Sequence, residues 1–287
     1  MTEFYLDGKT KLVILIGNPV EHSMSPSMHT AAFQAIGFNG IYIACKVEKG
    51  MLKEAVEGLK ALNILGANVT IPHKVEIMKY IDEIDPKAQD IGAINTIVNK
   101  NEILYATNTD GIAAIKSMKE AKFPLNGSTA VILGAGGAAR AIAFYLLDYI
   151  DHLYLTNRHR EKAEHLKNEL SKKFDVKITI FNFNKNELKS TLKKSDILIN
   201  CTPVGMYPNV DQSPVPKECL NKNLNVFDAI YNPIETKLIK EAKSLGANAI
   251  GGLKMFLYQG AEAFKLWTGK DAPISIMEKI IIKNLKK

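Results

Sequence analysis

Arginine is almost missing from this chain. Among its 287 residues are 37 lysines and arginines, and only three of these are arginines, Arg140, Arg158 and Arg160. Cysteine is as scarce: Cys45, Cys201 and Cys219 are an odd number at wide spacing, which argues for reduced thiols and against a disulfide framework or a zinc knot. No metal site is expected, because the histidines lack partners at ligand spacing. No apolar run approaches the roughly 18 residues of a membrane span, and the start shows no basic, apolar, small-residue succession of a signal peptide. The expectation is a cytoplasmic protein with no membrane partner. Zinc-finger spacing and aromatic-basic ribonucleoprotein motifs are also missing. The lysines are scattered, and small clusters such as Lys193-Lys194 and Lys286-Lys287 read as solvated faces. The formal charge of +7 therefore points to small anions as partners and away from nucleic acid. Either a monomer or a homodimer is compatible with this composition.

At 46% hydrophobic residues the chain can bury a substantial core, and its length suggests two domains. Apolar, β-branched segments alternate with helical patterns, the signature of an α/β fold. In a first block, strands are predicted at Leu12–Ile16, Ile41–Lys46 and Ala67–Ile71, and helices at Ser27–Ile36, Met51–Leu62 and His73–Ile81. The rhythm then changes. Thr96–Asn99 and Ile103–Thr107 flank Lys100-Asn101 and read as a hairpin, which makes the sheet mixed. Asp110-Gly111 reads as a helix start with Asp110 as the cap.

A second block repeats strands at Ala130–Leu133, Leu153–Thr156, Lys177–Ile180, Ile197–Asn200 and Val226–Ala229. Two closing helices, Gly252–Trp267 and Ile274–Leu285, are expected to return to the first block. The predicted boundaries are 1–111 completed by 253–287 for an α/β domain with a mixed sheet, and 112–252 for a Rossmann-type domain.

All three arginines lie in one window of 21 residues, from 140 to 160. The run Gly134-Ala135-Gly136-Gly137-Ala138-Ala139 opens beside that window, after a strand and before a helix, as a dinucleotide fingerprint requires. The first glycine permits a tight turn, and the second lets backbone approach a pyrophosphate. By itself the match is weak, since small residues also serve plain helix packing. About twenty residues on, NAD-binding chains place an acid against the ribose hydroxyl. Here Thr156-Asn157-Arg158 stands instead. A carboxylate would repel a 2′-phosphate, whereas a guanidinium grips it in a planar fork, so NADP is the expected cofactor.

Four motifs in the first block gather hydroxyls, amides, one lysine and one carboxylate near predicted strand ends. They are Gly17-Asn18-Pro19-Val20-Glu21-His22-Ser23-Met24-Ser25-Pro26, Asn68-Val69-Thr70-Ile71-Pro72-His73-Lys74, Ile91-Gly92-Ala93-Ile94-Asn95-Thr96, and Asn108-Thr109-Asp110-Gly111. Such a set suits a small polyhydroxylated acid. With Ile199–Met206, Asp228-Ala229-Ile230-Tyr231 and Gly252-Leu253-Lys254-Met255 through Gln259-Gly260-Ala261, they make the chain resemble the shikimate dehydrogenase family from Gly17 to Gly269.

The resemblance implies reversible NADPH-dependent reduction of 3-dehydroshikimate to shikimate. It implies Ser23 and Ser25 on the substrate carboxylate, and Thr70, Asn95, Tyr231 and Gln259 around the ring. Lys74 and Asp110 are implied as the catalytic pair, Asp110 also touching substrate. Cofactor contacts are implied at Gly134, Ala135, Gly136, Gly137, Ala138, Asn157, Arg158, Ala229 and Gly252.

Chemistry supports the pair independently. Hydride delivery to a ketone leaves negative charge on oxygen, so a proton donor there speeds the step. A helix start after Pro72 would set the Lys74 ammonium at the unfavourable end of a helix dipole, with Asp110 opposing that effect. Without the surrounding motifs these two residues would read as a surface lysine and a helix cap. Ser23 and Ser25 also suit a turn before the first helix.

Two departures stand out. The family commonly follows Asn-Arg with Thr, and then Arg three positions later; His159 and Lys162 occupy those places here and are expected with Arg160 among the cofactor contacts, either Arg160 or Lys162 being the second cation. Thr30 replaces a common Asn. The alternatives are a quinate/shikimate dehydrogenase with relaxed cofactor use and a catalytically silent NADP(H)-binding regulatory module. A methylenetetrahydrofolate dehydrogenase-like enzyme shares the two-domain plan, but the hydroxyl-rich motifs suit it poorly.

Overall fold

In the computed structural model, which describes residues 6–285, the chain forms two compact units. One runs to Thr109 and resumes at Leu257; the other is Asp110–Phe256. The Lys286-Lys287 pair lies outside the described residues.

The first unit is built on β1 (Lys11–Gly17), α1 (Ser25–Ala35), β2 (Gly40–Lys46), α2 (Leu52–Ala61), β3 (Gly66–Val69), β4 (Glu83–Ile84), α3 (Pro86–Ile91), β5 (Thr96–Lys100) and β6 (Ile103–Thr107). Its sheet has the order β2-β1-β3-β5-β6-β4. β1 pairs in parallel with β2 and β3, and β5 runs antiparallel to both β3 and β6. The central β1 is an unbroken apolar run, as a strand buried on both faces requires, and its residues from Val13 to Gly17 are buried. The β5–β6 turn falls at Asn101-Glu102, one residue beyond the expected Lys100-Asn101. Lys100 pairs with Ile103, and both turn residues have positive φ, 53° and 70°, as a two-residue hairpin loop demands.

The second unit follows with α4 (Asp110–Glu120), β7 (Thr129–Leu133), α5 (Gly137–Leu146), β8 (His152–Thr156), α6 (Arg160–Leu170), β9 (Lys177–Ile180), α7 (Lys185–Leu192), β10 (Ile197–Asn200), β11 (Asn225–Asp228), α8 (Lys237–Ser244) and β12 (Asn248–Ile250). All five strand pairs are parallel, in the order β12-β11-β10-β7-β8-β9. The strand order reverses between β7 and β10, which is where a doubly wound sheet opens a ligand crevice. Gly111 lets α4 lie against the Ala141 carbonyl of α5, where a Cβ would overlap it. Two helices close the chain, α9 (Leu253–Thr268) and α10 (Ile274–Leu285). α10 packs on α1, with Asn284 Nδ2 donating to Ser27 Oγ at 2.9 Å.

The expected helix His73–Ile81 is absent, replaced by a short 3-10 helix at Glu76–Tyr80. The cause is local. The Lys74 carbonyl accepts from Ile94 N at 2.9 Å, and the His73 ring binds the Val47 carbonyl at 2.7 Å. A carbonyl that a helix would need is thus taken by Ile94, and the His73 ring is anchored just past β2. Three short elements, β4, α3 and β12, escape the sequence reading, although α3 carries ordinary signals. Asp85 caps it through Lys87 N and Ala88 N, Pro86 opens it, and Gly92 at φ 68° ends it.

An aromatic cluster fills the first unit beneath β2. His29 stacks on Tyr42 with centroids 4.7 Å apart and meets the edge of Trp267 at 5.2 Å. Both ring nitrogens of His29 are buried without partners, and burial pushes its pKa down to about 3, so the ring packs as a neutral aromatic. Trp267 Nε1 donates to the Ile97 carbonyl at 2.9 Å across the position where Gly66 has no side chain. A Cβ at Gly66 would overlap that indole nitrogen and the Ile97 oxygen together. Gly66→Ala is therefore expected to destabilise the protein by about 2 kcal/mol or more, as overpacking does. A urea midpoint unchanged from wild type would contradict this.

Candidate active site

The polar motifs of the first unit emerge at one end of its sheet. β1 and β3 end there, and because β5 runs antiparallel to β3, it begins there; β6 then returns to the same end, with Thr96 opposite both Asn68 and Thr107. Backbone bonds fasten the motifs to one another. Thr70 N donates to Ile16 O at 2.8 Å, Asn18 N to Ile71 O at 2.9 Å, and Val69 N to Asn95 O at 2.9 Å. Gly17 must be glycine for this, since a Cβ would overlap the Thr70 methyl. The Ile94–Lys74 bond that interrupts a helix sets Lys74 beside the segment that leads through Asn95 into β5. The helix-dipole argument for Lys74 therefore falls, and a strand-end setting replaces it.

Asn95 is the hub of this end. Its Nδ2 donates to Thr109 Oγ1 at 2.9 Å and reaches Gln259 Oε1 at 3.4 Å, while its Oδ1 accepts from Thr109 N at 2.9 Å and Thr96 Oγ1 at 3.0 Å. The Thr109 hydroxyl also lies 3.1 Å from the Gln259 carbonyl, which brings α9 to the hub. Behind it, Asn68 Nδ2 donates to Asn95 O and Thr96 Oγ1, and the Tyr42 hydroxyl donates to Asn68 Oδ1 at 2.9 Å. Thr30, the residue in place of a common Asn, accepts from Tyr42 N at 3.2 Å and so hooks α1 to β2.

Ser25 is buried and Ser23 half-buried, and Ser23 Oγ accepts from Ser25 N at 3.2 Å as a turn before α1. Thr70 and Lys74 are half-buried. Asn68, Thr109 and Tyr42 were not singled out from sequence. The first two stood inside quoted motifs, but which amide holds which cannot be read without the strand register.

In the second unit, Gly134 takes φ 110° at the end of β7 and lies against the Cys201 backbone at the end of β10, where a Cβ would come within 3.2 Å of its carbonyl oxygen. Gly136 precedes α5 and faces open space, leaving that helix's first N–H groups available to a phosphate, with Gly137 and Ala138 half-buried in its first turn and Ala135 buried. Gly252 donates its N–H to Ile230 O at 2.8 Å and packs on the Ala229 carbonyl with no room for a Cβ. Tyr231 stacks on Phe256 at 4.1 Å. Asp110 is buried at the first residue of α4.

A pocket of about 190 Å³ lies at the end of β8, lined by Asn157, Arg158, Arg160, and Ile180 to Phe183 of the segment after β9. No carboxylate lines it. Arg158 is exposed and forms no ion pair among the described residues. The Arg160 guanidinium is held at the pocket by Glu164 at 2.7 Å and Asn182 Oδ1 at 2.8 Å. Lys162 and His159 are exposed and do not line it. Arg140, in contrast, is buried on α5 and pairs with Glu169 of α6, so it serves packing within the unit. The glycine loop, open helix start and acid-free pocket form a donor set that fits a dinucleotide carrying a 2′-phosphate. Among the described residues no group of His, Cys, Asp and Glu is arranged to hold a metal, and no helix is long and apolar enough to cross a membrane.

Comparison with known proteins agrees with both halves. Residues 15–97 match the shikimate dehydrogenase substrate binding domain, 116–228 match shikimate / quinate 5-dehydrogenase, and 252–282 match the shikimate 5'-dehydrogenase C-terminal domain. The shikimate dehydrogenase (NADP(+)) of Methanocaldococcus jannaschii is 48% identical over 98% of this chain and 100% of its own length. That of Moorella thermoacetica is 45% identical over 95% of this chain and 92% of its own. A crystal structure of a shikimate dehydrogenase in complex with NADP+ superposes with a TM-score of 0.91 at 47% identity, covering 99% of this chain and 98% of that one. The chain belongs to the shikimate dehydrogenase family.

Proposed function

We propose that this protein catalyses the reversible, NADPH-dependent reduction of 3-dehydroshikimate to shikimate. The observation that carries the reading is the Asn95 hub, a buried set of amides and hydroxyls that gathers strand ends and Gln259 at one place. The full-length likeness to proteins named NADP(+)-dependent shikimate dehydrogenases supports it. In this reading Ser23 and Ser25 bind the carboxylate, and Thr70, Asn95, Tyr231 and Gln259 bind the ring. Gly134 to Ala138, Asn157, Ala229 and Gly252 receive the cofactor, with Arg158 on its 2′-phosphate. Arg160 is the second cation, because it lines the pocket and Lys162 does not.

NADPH, when bound, supplies the hydride. The chain's part is to manage the proton. Lys74 donates to the carbonyl oxygen as charge develops there and withdraws that proton in the reverse direction. Asp110 accepts a hydrogen bond from the same hydroxyl and fixes its orientation. A donor placed in this way contributes about 10²- to 10⁴-fold to the rate. A cytoplasmic setting suits the three thiols, all of them free.

Lys74→Ala is expected to lower kcat by about 10²- to 10⁴-fold while the shikimate KM stays within a few-fold; turnover close to wild type would remove Lys74 from proton transfer. Shikimate and quinate, each with NADP and with NAD, separate the proposed activity from a broader quinate/shikimate dehydrogenase and from a silent binding module. Shikimate with NADP is the pair expected to dominate, as followed by NADPH absorbance. Arg158→Ala should raise the NADP KM at least about tenfold, the loss of one charge-assisted contact, and leave the NAD KM unchanged. An equal change for both cofactors would place Arg158 elsewhere.

A further inference from the structure

Asp228 ends β11 with no exposed surface and pairs with no cation among the described residues. A buried carboxylate in that position needs hydrogen-bond donors, and it has three. Its Oδ1 accepts from Asn200 Nδ2 at 3.0 Å and from Ile230 N at 3.1 Å, and its Oδ2 accepts from Thr236 Oγ1 at 2.7 Å. Each of these groups is fastened further. Asn200, the last residue of β10, accepts from Thr202 N and Thr202 Oγ1 at 3.0 and 2.7 Å, and Thr202 Oγ1 accepts from Val204 N. Thr236 caps α8 by accepting from Ile239 N, and Ile230 O receives Gly252 N.

We propose that Asp228 is a positioning residue for cofactor binding: by accepting from Asn200, Ile230 and Thr236 at once, it ties the segment after β10 to the segment after β11 and holds both in the form that receives the dinucleotide. The inference rests on the NADPH reading above. The segments concerned flank the crevice where the strand order reverses. Cys201 stands against Gly134, and Ala229 packs under Gly252. Only a group that accepts at both oxygens satisfies all three donors. An asparagine would present an N–H where the Thr236 hydroxyl already donates.

The arrangement carries a burial cost. Burial pushes the Asp228 carboxyl up to about 6, above the usual carboxylate range. A folded-state pKa raised in this way means that the folded protein binds the proton more readily than the unfolded chain, so the stability from this group falls as pH rises through about 6. The groups facing it are the Asn200 amide, the Ile230 N–H, the Thr236 hydroxyl and the Cys201 thiol. Burial and the carboxylates of Asp228 and Asp110 push that thiol well up, so it stays protonated. The three donors offset part of that burial cost, so the hydrogen bonds and burial pull the carboxyl in opposite directions.

Asp228→Asn removes the charge with little change in shape. The expected result is NADPH binding about tenfold weaker at neutral pH, the equivalent of one lost hydrogen bond, with an unfolding temperature at or above wild type. Wild-type affinity should fall below pH 6 more steeply than that of Asp228→Asn; the titration of the cofactor's own phosphate is common to both proteins and cancels. Thr236→Val should weaken NADPH binding in the same direction, and Thr236→Ser should restore it. Asp228→Asn binding NADPH within twofold of wild type, or losing affinity only in step with its unfolding temperature, would overturn the inference while leaving the NADPH reading intact. NADPH bound by neither wild type nor variant would overturn both.

Discussion

An asparagine buried at a strand end brings two donors and an acceptor with two lone pairs, and they must all be matched once water is excluded. Asn95 meets that demand in the first unit by drawing Thr96, Thr109 and Gln259 onto one side chain. The sheet end closes around it as a result. Asn68 repeats the device one strand away, joining Tyr42 to Asn95 and Thr96. In the second unit Asn200 does the same with Asp228 and Thr202. Each sheet thus ends in a fastened polar rim, and rigid rims are where groups can be held ready for a ligand.

Charge is distributed between these rims according to task. Lysine supplies most of the positive surface, a general field that attracts anions. Arginine is kept for fixed geometry: Arg140 locks α5 to α6 through Glu169, and Arg160 is steered by Glu164 and Asn182. Arg158 remains the exposed fork. The scarcity visible in the sequence covers two settings, one buried in packing and one exposed at a pocket, and only burial tells them apart.

The fold was largely legible because its signals are local. Apolar β-branched runs at regular spacing announced ten of the strands, and the glycine run after β7 fell where the parallel sheet needs a turn. Where reading failed, a tertiary bond had overridden a local pattern. The segment after Pro72 has helical periodicity, but the Lys74 carbonyl is taken by Ile94 N and the His73 ring is anchored on the Val47 carbonyl. The two-residue β4 and three-residue β12 are too short for any period to show. Candidate site residues were legible as types in motifs. Their supports were not: Tyr42 lies in an apolar strand and Asp228 at the end of another, and only strand register brings them to Asn68 and Asn200.

Trp267 is the single tryptophan of the chain, and its indole is bonded to the Ile97 carbonyl two residues from Asn95. Its emission is thus an optical label that the sequence itself supplies for one half of the molecule. Intrinsic fluorescence reports on the sheet that carries the Asn95 hub, while the parallel sheet of the other unit contributes only tyrosine signal. Melting of the unit that carries the hub can be followed at the tryptophan emission, without attaching a dye.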